Sequence, residues 1–509
     1  MAEDDDLTRC IALLQRFADN PELIAALSGE QYRALMIAAG RVSRPDRLTQ
    51  FQRARALRQH LRRQQRAHDL RVLDSTEIRT SQRASIFVAP PVRALPSPDH
   101  APEQPELLEP RTCYVCKEDY RKVHFFYDSM CPPCATLNYA KRNQTASLDG
   151  HVVLITGARL KIGYQTSLLL LRAGARVIAT TRFPKDAAVR YAREPDFARF
   201  GNRLQIHGLD LRHSPSVELF TRYLTDTCER LDHIINNAAQ TVRRPPAFYA
   251  HLLPREHTPL AAMPAGAQTL LVAHERLIAQ LGGTAPAAVE PSNAATGVMR
   301  WHGGTGAAGL VASAELSQLP CAPGDDEPAE AFPPGETDPD LQQVDRRTVN
   351  SWRLPLADIS TPELLEVHLV NAIAPFILNS KLKPLMLRQR TGQKHIVNVS
   401  AMEAVFSRHK KTDKHPHTNM AKAALNMMTR TSAVDYAQDG IYMNSVDTGW
   451  VTDEDPLHHV VRKQDVHDFH PPLDVVDGAA RVCDPIFSHL LTGQPMWGLF
   501  LKDYRPADW

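Results

Sequence analysis

The stretch Val152-Val153-Leu154-Ile155-Thr156-Gly157-Ala158-Arg159-Leu160-Lys161-Ile162-Gly163 decides the fold. A short apolar run ends in a glycine turn, and helical spacing follows at once over Thr166 to Ala173. A strand, a tight turn and a helix N-terminus in that order set backbone N–H groups against a pyrophosphate, and the helix dipole adds to the attraction. Alone the turn is a weak signal, since glycine also shapes turns that bind nothing.

Its surroundings strengthen it. Further strand patterns occur at Val177 to Thr181, Leu204 to Gly208, His233 to Asn236, His395 to Ser400, Ile441 to Val446 and Trp497 to Leu501, separated by helical stretches. That alternation predicts an α/β fold, a Rossmann-type doubly wound parallel sheet with helices on both faces. Polar residues then come in a set order. Asp210-Leu211 follows the third strand, Asn236-Asn237-Ala238-Ala239 the fourth and Ser400 the fifth, with Asn371 and Lys422 in helices and Gly449 and Thr452 after the sixth strand.

This succession resembles the short-chain dehydrogenase/reductase family over about residues 148–509, apart from an insertion at about 243–345 rich in Ala, Pro and Gly. Within the insertion only Gln268 to Leu281 reads as clearly helical, and the rest is expected to be a lid, an arm or a disordered segment. The resemblance implies a dinucleotide held by Thr156, Gly157, Arg159, Ile162 and Gly163 at the turn. Asp210 and Leu211 would lie at the adenine, and Asn237 and Ala238 at the ribose side. Asp210 also fits a plain turn or helix-cap acid. Gly449, Thr452 and Lys422 would flank the nicotinamide. The family's turn, T-G-x-x-x-G-x-G, has Lys161 in place of its second glycine. A lysine there loses the freedom of a residue without Cβ but brings an ammonium towards the phosphates. The second strand ends Thr180-Thr181-Arg182, with no carboxylate to accept a ribose 2′-OH and with Arg159 and Arg182 able to meet a 2′-phosphate. NADP is therefore expected over NAD.

Family members reduce a carbonyl with a tyrosine as acid, a lysine four residues later, a serine on the substrate oxygen and an asparagine on a water relay. Here Lys422, Ser400 and Asn371 match, but the residue four before Lys422 is Thr418. An aliphatic hydroxyl is far too weak an acid for the role of a tyrosine whose reference pKa is near 10. His415, three residues before Thr418 and ahead of Pro416, is the candidate proton donor, with Lys414 and His417 behind it. Two readings stay open. One is an NADP-dependent oxidoreductase acting on a CH–OH/C=O pair of unread substrate with an altered donor. The other is a catalytically silent NADP-binding sensor or scaffold.

The N-terminal third has a different character. Residues 7 to about 75 have helical periodicity, and eight arginines fall between Arg47 and Arg71. Such a run reads first as a solvated face and second as a surface for RNA or an acidic partner. The helical region is expected to end at 88 and a Pro-rich linker to run from 89 to 110. A module at 111–140 follows, holding Cys113-x2-Cys116 and Cys131-x2-Cys134. Two such knuckles can bring four thiolates into a tetrahedron around a structural zinc ion, with Tyr120, Phe125, Phe126 and Tyr127 as a small core and His124 packing among them. The module would brace the domains or, like the N-terminal helices, dock a protein partner. The family resemblance adds a homodimer through helices at the back of the sheet.

Lys plus Arg (59) nearly balances Asp plus Glu (57), which argues against a dedicated nucleic-acid binder. The acidic start and the lack of any apolar run of membrane-spanning length point to a cytoplasmic protein without a membrane segment.

Overall fold

The computed structural model describes residues 2–89, 104–281, 306–322, 325, 329–407, 411–452 and 454–509. The centre of the Pro-rich linker and the part of the insertion holding Pro286, Pro291 and Gly303-Gly304 lie outside these residues.

The chain divides into two compact units, Met1–Arg71 with Leu107–Glu109, and Val72–Glu106 with Pro110–Trp509. The first is helical, with helices Ala2–Asp19, Pro21–Ala25 and Gly29–Ser43 and most of Arg47–Asp74. Asn20 and Ser28 cap the second and third, and Ser28 and Gln31 form a reciprocal capping box. All eight arginines of the long helix are exposed. No helix of the described residues is long and apolar enough to cross a membrane.

Two expected boundaries move. The helix Glu77–Gln82 belongs to the second unit because the buried Arg79 is paired there with Asp128 at 2.7 Å and Asp468 at 3.0 Å. The linker ends earlier than 110, since β1 (Glu106–Thr112) forms a hairpin with β2 (Asp119–Lys122) in the register Arg111↔Tyr120 and Thr112↔Asp119. The Glu106 to Glu109 run has no proline, so its donors are free to bond. The N–H groups of Leu108 and Glu109 reach the Asp69 carboxylate at 2.7 and 3.1 Å.

The second unit is built on an eight-stranded sheet. Its strands are β3 (Val152–Thr156), β4 (Arg176–Thr181), β5 (Leu204–Gly208), β6 (His233–Asn236), β7 (Lys394–Ser400), β8 (Ile441–Asp447), β9 (Phe500–Lys502) and β10 (Arg505–Ala507). Their spatial order is β10-β9-β8-β7-β6-β3-β4-β5, parallel except for the β9–β10 hairpin. Alternation along the strands feeds two cores. Val153, Ile155 and Val177 pack on one face, and Leu154, Ile178 and Ile234 on the other. This is the doubly wound Rossmann arrangement expected. β9 starts three residues later than expected because Gly498, at φ +68°, turns the chain just before it.

The insertion has more structure than its composition suggested. Helices cover Pro246–Tyr249, Leu253–Glu256, Ala265–Gln280 and Ala308–Val311. Ala265–Gln280 puts Ala267, Leu270 and Leu271 into the core beside β4 and β5, so burial, not alanine content alone, holds it in place.

Candidate functional site

Strand order reverses between β3 and β6, and loops leaving the carboxyl ends of two such strands part to form a crevice. Here they meet closely. Gly157 has φ +68°, and a Cβ on it would lie 2.8 Å from Ala238 Cα. A Cβ on Gly163 would strike Asn237 Nδ2 and the Gly157 carbonyl. Only glycine fits at either place. Asn237 Nδ2 donates to the carbonyls of Thr156 (3.0 Å) and Gly157 (3.1 Å), while the Ala238 N–H donates to Thr156 Oγ1 at 3.0 Å. The expected ribose-side residue Asn237 therefore fastens the glycine turn.

A cleft of about 750 Å3 opens at this point. Gly157, Arg159, Lys161, Ile162 and Gly163 line it, as do Arg182, Asp210, Leu211, Asn237, Ala238 and Thr452. The helix Lys161–Arg172 points its N-terminus into it. Lys161, in the place of a glycine, is held at φ +52°, where a side chain is strained. Its ammonium lies 3.3 Å from Asp338 of the insertion. Burial opposes its charge, but Asp338, Glu454 and Asp340 together hold the ammonium above its usual range.

The two arginines differ. Arg159 is paired with the buried Asp186 at 2.9 Å, and Arg255 reaches the same carboxylate at 2.5 Å. Arg182 lies over the Tyr249 ring at 4.5 Å, donates to its hydroxyl at 2.8 Å, and has no carboxylate partner among the described residues. Asp210 is a turn acid that accepts from the Arg212 N–H at 2.9 Å and pairs with its guanidinium at 2.6 Å. Burial opposes its ionisation, but Arg212 holds the carboxyl below its usual range.

The expected catalytic residues lie behind the cleft lining, where Thr418 and Asn371 bond the lining residues Thr241 and Gln240. Ser400, Asn371, Thr418 and Lys422 are at most 4% exposed, and neither they nor His415 line the cleft. Thr418 Oγ1 donates to the Thr241 carbonyl at 3.0 Å, and Lys422 Nζ to that of Val399 at 2.8 Å. Asn371, in the π-helical segment Leu369–Ile373, bonds the Gln240 and Val367 carbonyls at 2.8 Å each. Ser400 Oγ is buried without a partner among the described residues. The His415 ring is stacked flat on Trp352 at 3.9 Å, with Nδ1 2.9 Å from the Trp352 carbonyl. His417 is buried 3.7 Å from Glu363. Burial brings Lys422 down to about 8, with Glu403 opposing, so its ammonium can give up a proton near neutrality.

The four cysteines form a second candidate centre. The sulfurs of Cys113, Cys116, Cys131 and Cys134 all lie within 4.8 Å of one another, with Cys116 and Cys131 at 3.6 Å. Four thiolates about 2.3 Å from one zinc ion stand about 3.8 Å apart, so the set fits that ion. Burial raises the Cys113 thiol, but N–H donors from Cys131, Cys116 and Val115 outweigh it and bring it down to about 7. Burial pushes Cys131 and Cys134 up, and a cation is what would allow all four to ionise together. His124 packs on Phe125 at 4.3 Å and stands outside the cluster.

Known sequences match the same region. Residues 151–251 match the family described as short chain dehydrogenase, and residues 348–468 match Enoyl-(Acyl carrier protein) reductase. The matched segments 151–251 and 348–468 belong to the short-chain dehydrogenase/reductase family. An uncharacterized protein of Acanthamoeba polyphaga mimivirus is 29% identical over 393 residues, spanning 74% of this chain and 71% of its own. Retinol dehydrogenase 13 of Mus musculus is 34% identical over 94 residues, only 18% of this chain and 28% of its own. Among solved structures, an NADPH-bound carbonyl reductase from chicken fatty liver aligns with a TM-score of 0.41 at 16% identity, covering 71% of this chain and 100% of that one.

Sequence reasoning missed Tyr249, Asp338 and the Arg212–Asp210 pair. Tyr249 and Asp338 come from the insertion, whose composition gave no register, and Arg212 follows Asp210 too closely to stand out as its partner.

Proposed function

We propose that the short-chain dehydrogenase/reductase domain binds NADP in preference to NAD and serves as an oxidoreductase on a carbonyl/alcohol pair, with a proton donor other than Thr418. The observation that carries this reading is the cleft itself. The glycine turn and helix N-terminus suit a pyrophosphate, and Arg182 on Tyr249, which forms no contact ion pair among the described residues, suits a 2′-phosphate. Thr156, Gly157, Ile162, Gly163, Asn237 and Ala238 would hold the dinucleotide, and Thr452, on the cleft wall, would meet its far end. Bound there, it supplies or accepts a hydride. The chain's own part is to orient it, exclude water and deliver a proton from His415 or from Lys422, whose pKa is depressed. A zinc ion on the four cysteines would be structural, since four protein thiolates leave no open position.

The second reading, a cofactor-dependent sensor without turnover, is favoured by one specific feature. Ser400, Thr418, Lys422 and Asn371 are buried and do not line the cleft, and the polar groups of the last three bond backbone carbonyls.

Turnover of a carbonyl and alcohol panel with NADPH and NADP separates the two. An enzyme should keep most of its rate in Thr418→Ala and lose roughly a hundredfold in His415→Ala or Lys422→Ala. Loss of activity in Thr418→Ala alone would defeat the assignment of the donor. Tight NADPH binding with no turnover by any variant would establish the sensor.

A further inference from the structure

The four-cysteine module is joined to the dinucleotide cleft at two places, one of them through a residue inside the first knuckle. Tyr114 stands between Cys113 and Cys116, and its own N–H donates to the Ser129 carbonyl at 2.8 Å. Its hydroxyl leaves the module and accepts the N–H of Trp450 at 3.0 Å. Trp450 belongs to the loop that leaves β8 and leads to Thr452 on the cleft wall. Gly449, at φ +76°, carries no Cβ; one built there would strike Leu473 Cδ1 at 2.4 Å and lie 3.2 Å from Tyr114 Oη.

The second joint is rigid. The helix Pro132–Arg142, which starts directly after Cys131 and carries Cys134, is pinned to Val475–Thr492. Arg142 pairs with Asp474 at 2.6 Å and Asp477 at 3.0 Å, and Arg481 donates to Asn138 at 2.6 Å. Gly478 of that helix lets Ile162 of the glycine-turn helix approach, where a Cβ would lie 2.9 Å from it. The module is thus linked to both sides of the cleft, to the glycine-turn helix through Val475–Thr492 and to the loop after β8 by the Tyr114–Trp450 hydrogen bond.

We propose that Tyr114 is a positioning residue through which the metal state of the four cysteines sets the affinity of the cleft for its dinucleotide. Resting on the cofactor reading above, the argument is one of stiffness. The first knuckle's own N–H groups close largely on the Cys113 sulfur and on neighbouring carbonyls, so its shape follows the position of that sulfur, and four crowded sulfurs need a cation to stay together. With the metal bound, Tyr114 Oη is fixed and the Gly449 to Thr452 segment is held against the cleft. Without it the knuckle moves, the Trp450 N–H turns to water, and the ordering of the loop is charged against cofactor binding.

The test uses the full chain loaded with zinc, NADPH titrated by calorimetry, metal content, and amide exchange at residues 448–452. Tyr114→Phe, which keeps the ring and deletes the acceptor, should retain one zinc per chain, bind NADPH about five- to tenfold more weakly and exchange the Trp450 amide faster. Stripping zinc from the unaltered protein with a chelator should weaken NADPH at least as much. Stripping it from Tyr114→Phe should add little, since the link is already cut. Normal NADPH affinity in zinc-loaded Tyr114→Phe, or after zinc removal from the unaltered chain, overturns the proposal alone. No NADPH binding by the zinc-loaded, unaltered chain instead overturns the cofactor reading and this proposal with it. If Tyr114→Phe does not fold, the chelator arm on the unaltered protein decides.

Discussion

Replacing Arg182 with alanine should separate the two nicotinamide dinucleotides. The guanidinium is already ordered, 4.5 Å over the Tyr249 ring with Nη2 2.8 Å from its hydroxyl, so little rotamer entropy remains to be lost on binding a phosphate. Asp210 feels its charge but forms its ion pair with Arg212, at 2.6 Å, so no carboxylate is in contact with Arg182 among the described residues. A hydrogen bond to a charged group contributes about 1.5–3 kcal/mol, and the openness of the cleft to solvent favours the lower half of that range. Arg182→Ala should then weaken NADPH by roughly ten- to fortyfold, at about 1.4 kcal/mol per decade, and leave NADH within about twofold. Loss of the stack on Tyr249 costs the fold about 0.5–1 kcal/mol, which appears in the melting temperature and not in the NADH affinity. Arg159→Ala should cost NADPH less, because Asp186 already neutralises that guanidinium. Calorimetric titration of both cofactors decides the matter. Equal losses for NADPH and NADH in Arg182→Ala, or tighter binding of NADH by the unaltered protein, would refute the reasoning.

Three further outcomes follow from the same geometry. Lys161→Gly relieves a left-handed φ of +52° but removes an ammonium from the phosphate turn, so the melting temperature should hold or rise while NADPH binds several-fold more weakly; tighter binding would mean Lys161 obstructs the site. Cys131→Ser should release zinc and loosen the 110–140 region, seen as metal loss and rapid amide exchange there, and a folded native chain without zinc would end the metal assignment. His233 and His395, fully buried in adjacent strands, are pushed well below the usual histidine range, first by burial and then by neighbouring cations and histidines. The unfolded chain binds the extra protons, so stability should be level above about pH 6.5 and fall below it, by about 1.4 kcal/mol per pH unit for each histidine. Chemical denaturation between pH 7 and 5 measures the slope, and a flat profile would contradict neutral burial.

Much of this molecule could be read before any coordinates. β3, β5 and β6 begin and end where periodicity placed them, because short apolar runs bounded by glycine or polar turns leave a buried parallel strand little freedom. The glycine turn and the residues after β6 come together as expected, since their roles depend on local backbone shape. What the sequence withheld depends on distant partners. Arg159 and Arg182 look alike in the chain, and only the fold gives one of them Asp186 and the other Tyr249. Ser400, Thr418 and Lys422 follow the family's order, but order along a chain says nothing of access, and the cleft does not reach them. The insertion was hardest to read. Its longest helix, Ala265–Gln280, is held by burial against β5 and the helix Pro184–Ala192, a cause that composition does not display.

The Asp338 carboxylate beside Lys161 changes what arrival at the glycine turn means. An incoming phosphate does not meet a bare cation but one with a resident anion tethered to the same chain, at an effective concentration in the millimolar range or above. Binding becomes an exchange of one anion for another, so much of the counter-ion release that makes phosphate sites salt-sensitive has already happened inside the protein. The affinity at this turn should be lower than the lysine alone would give, and it should vary little with ionic strength. The tethered acid acts as a buffer, holding the site's response steady while the salt around it changes.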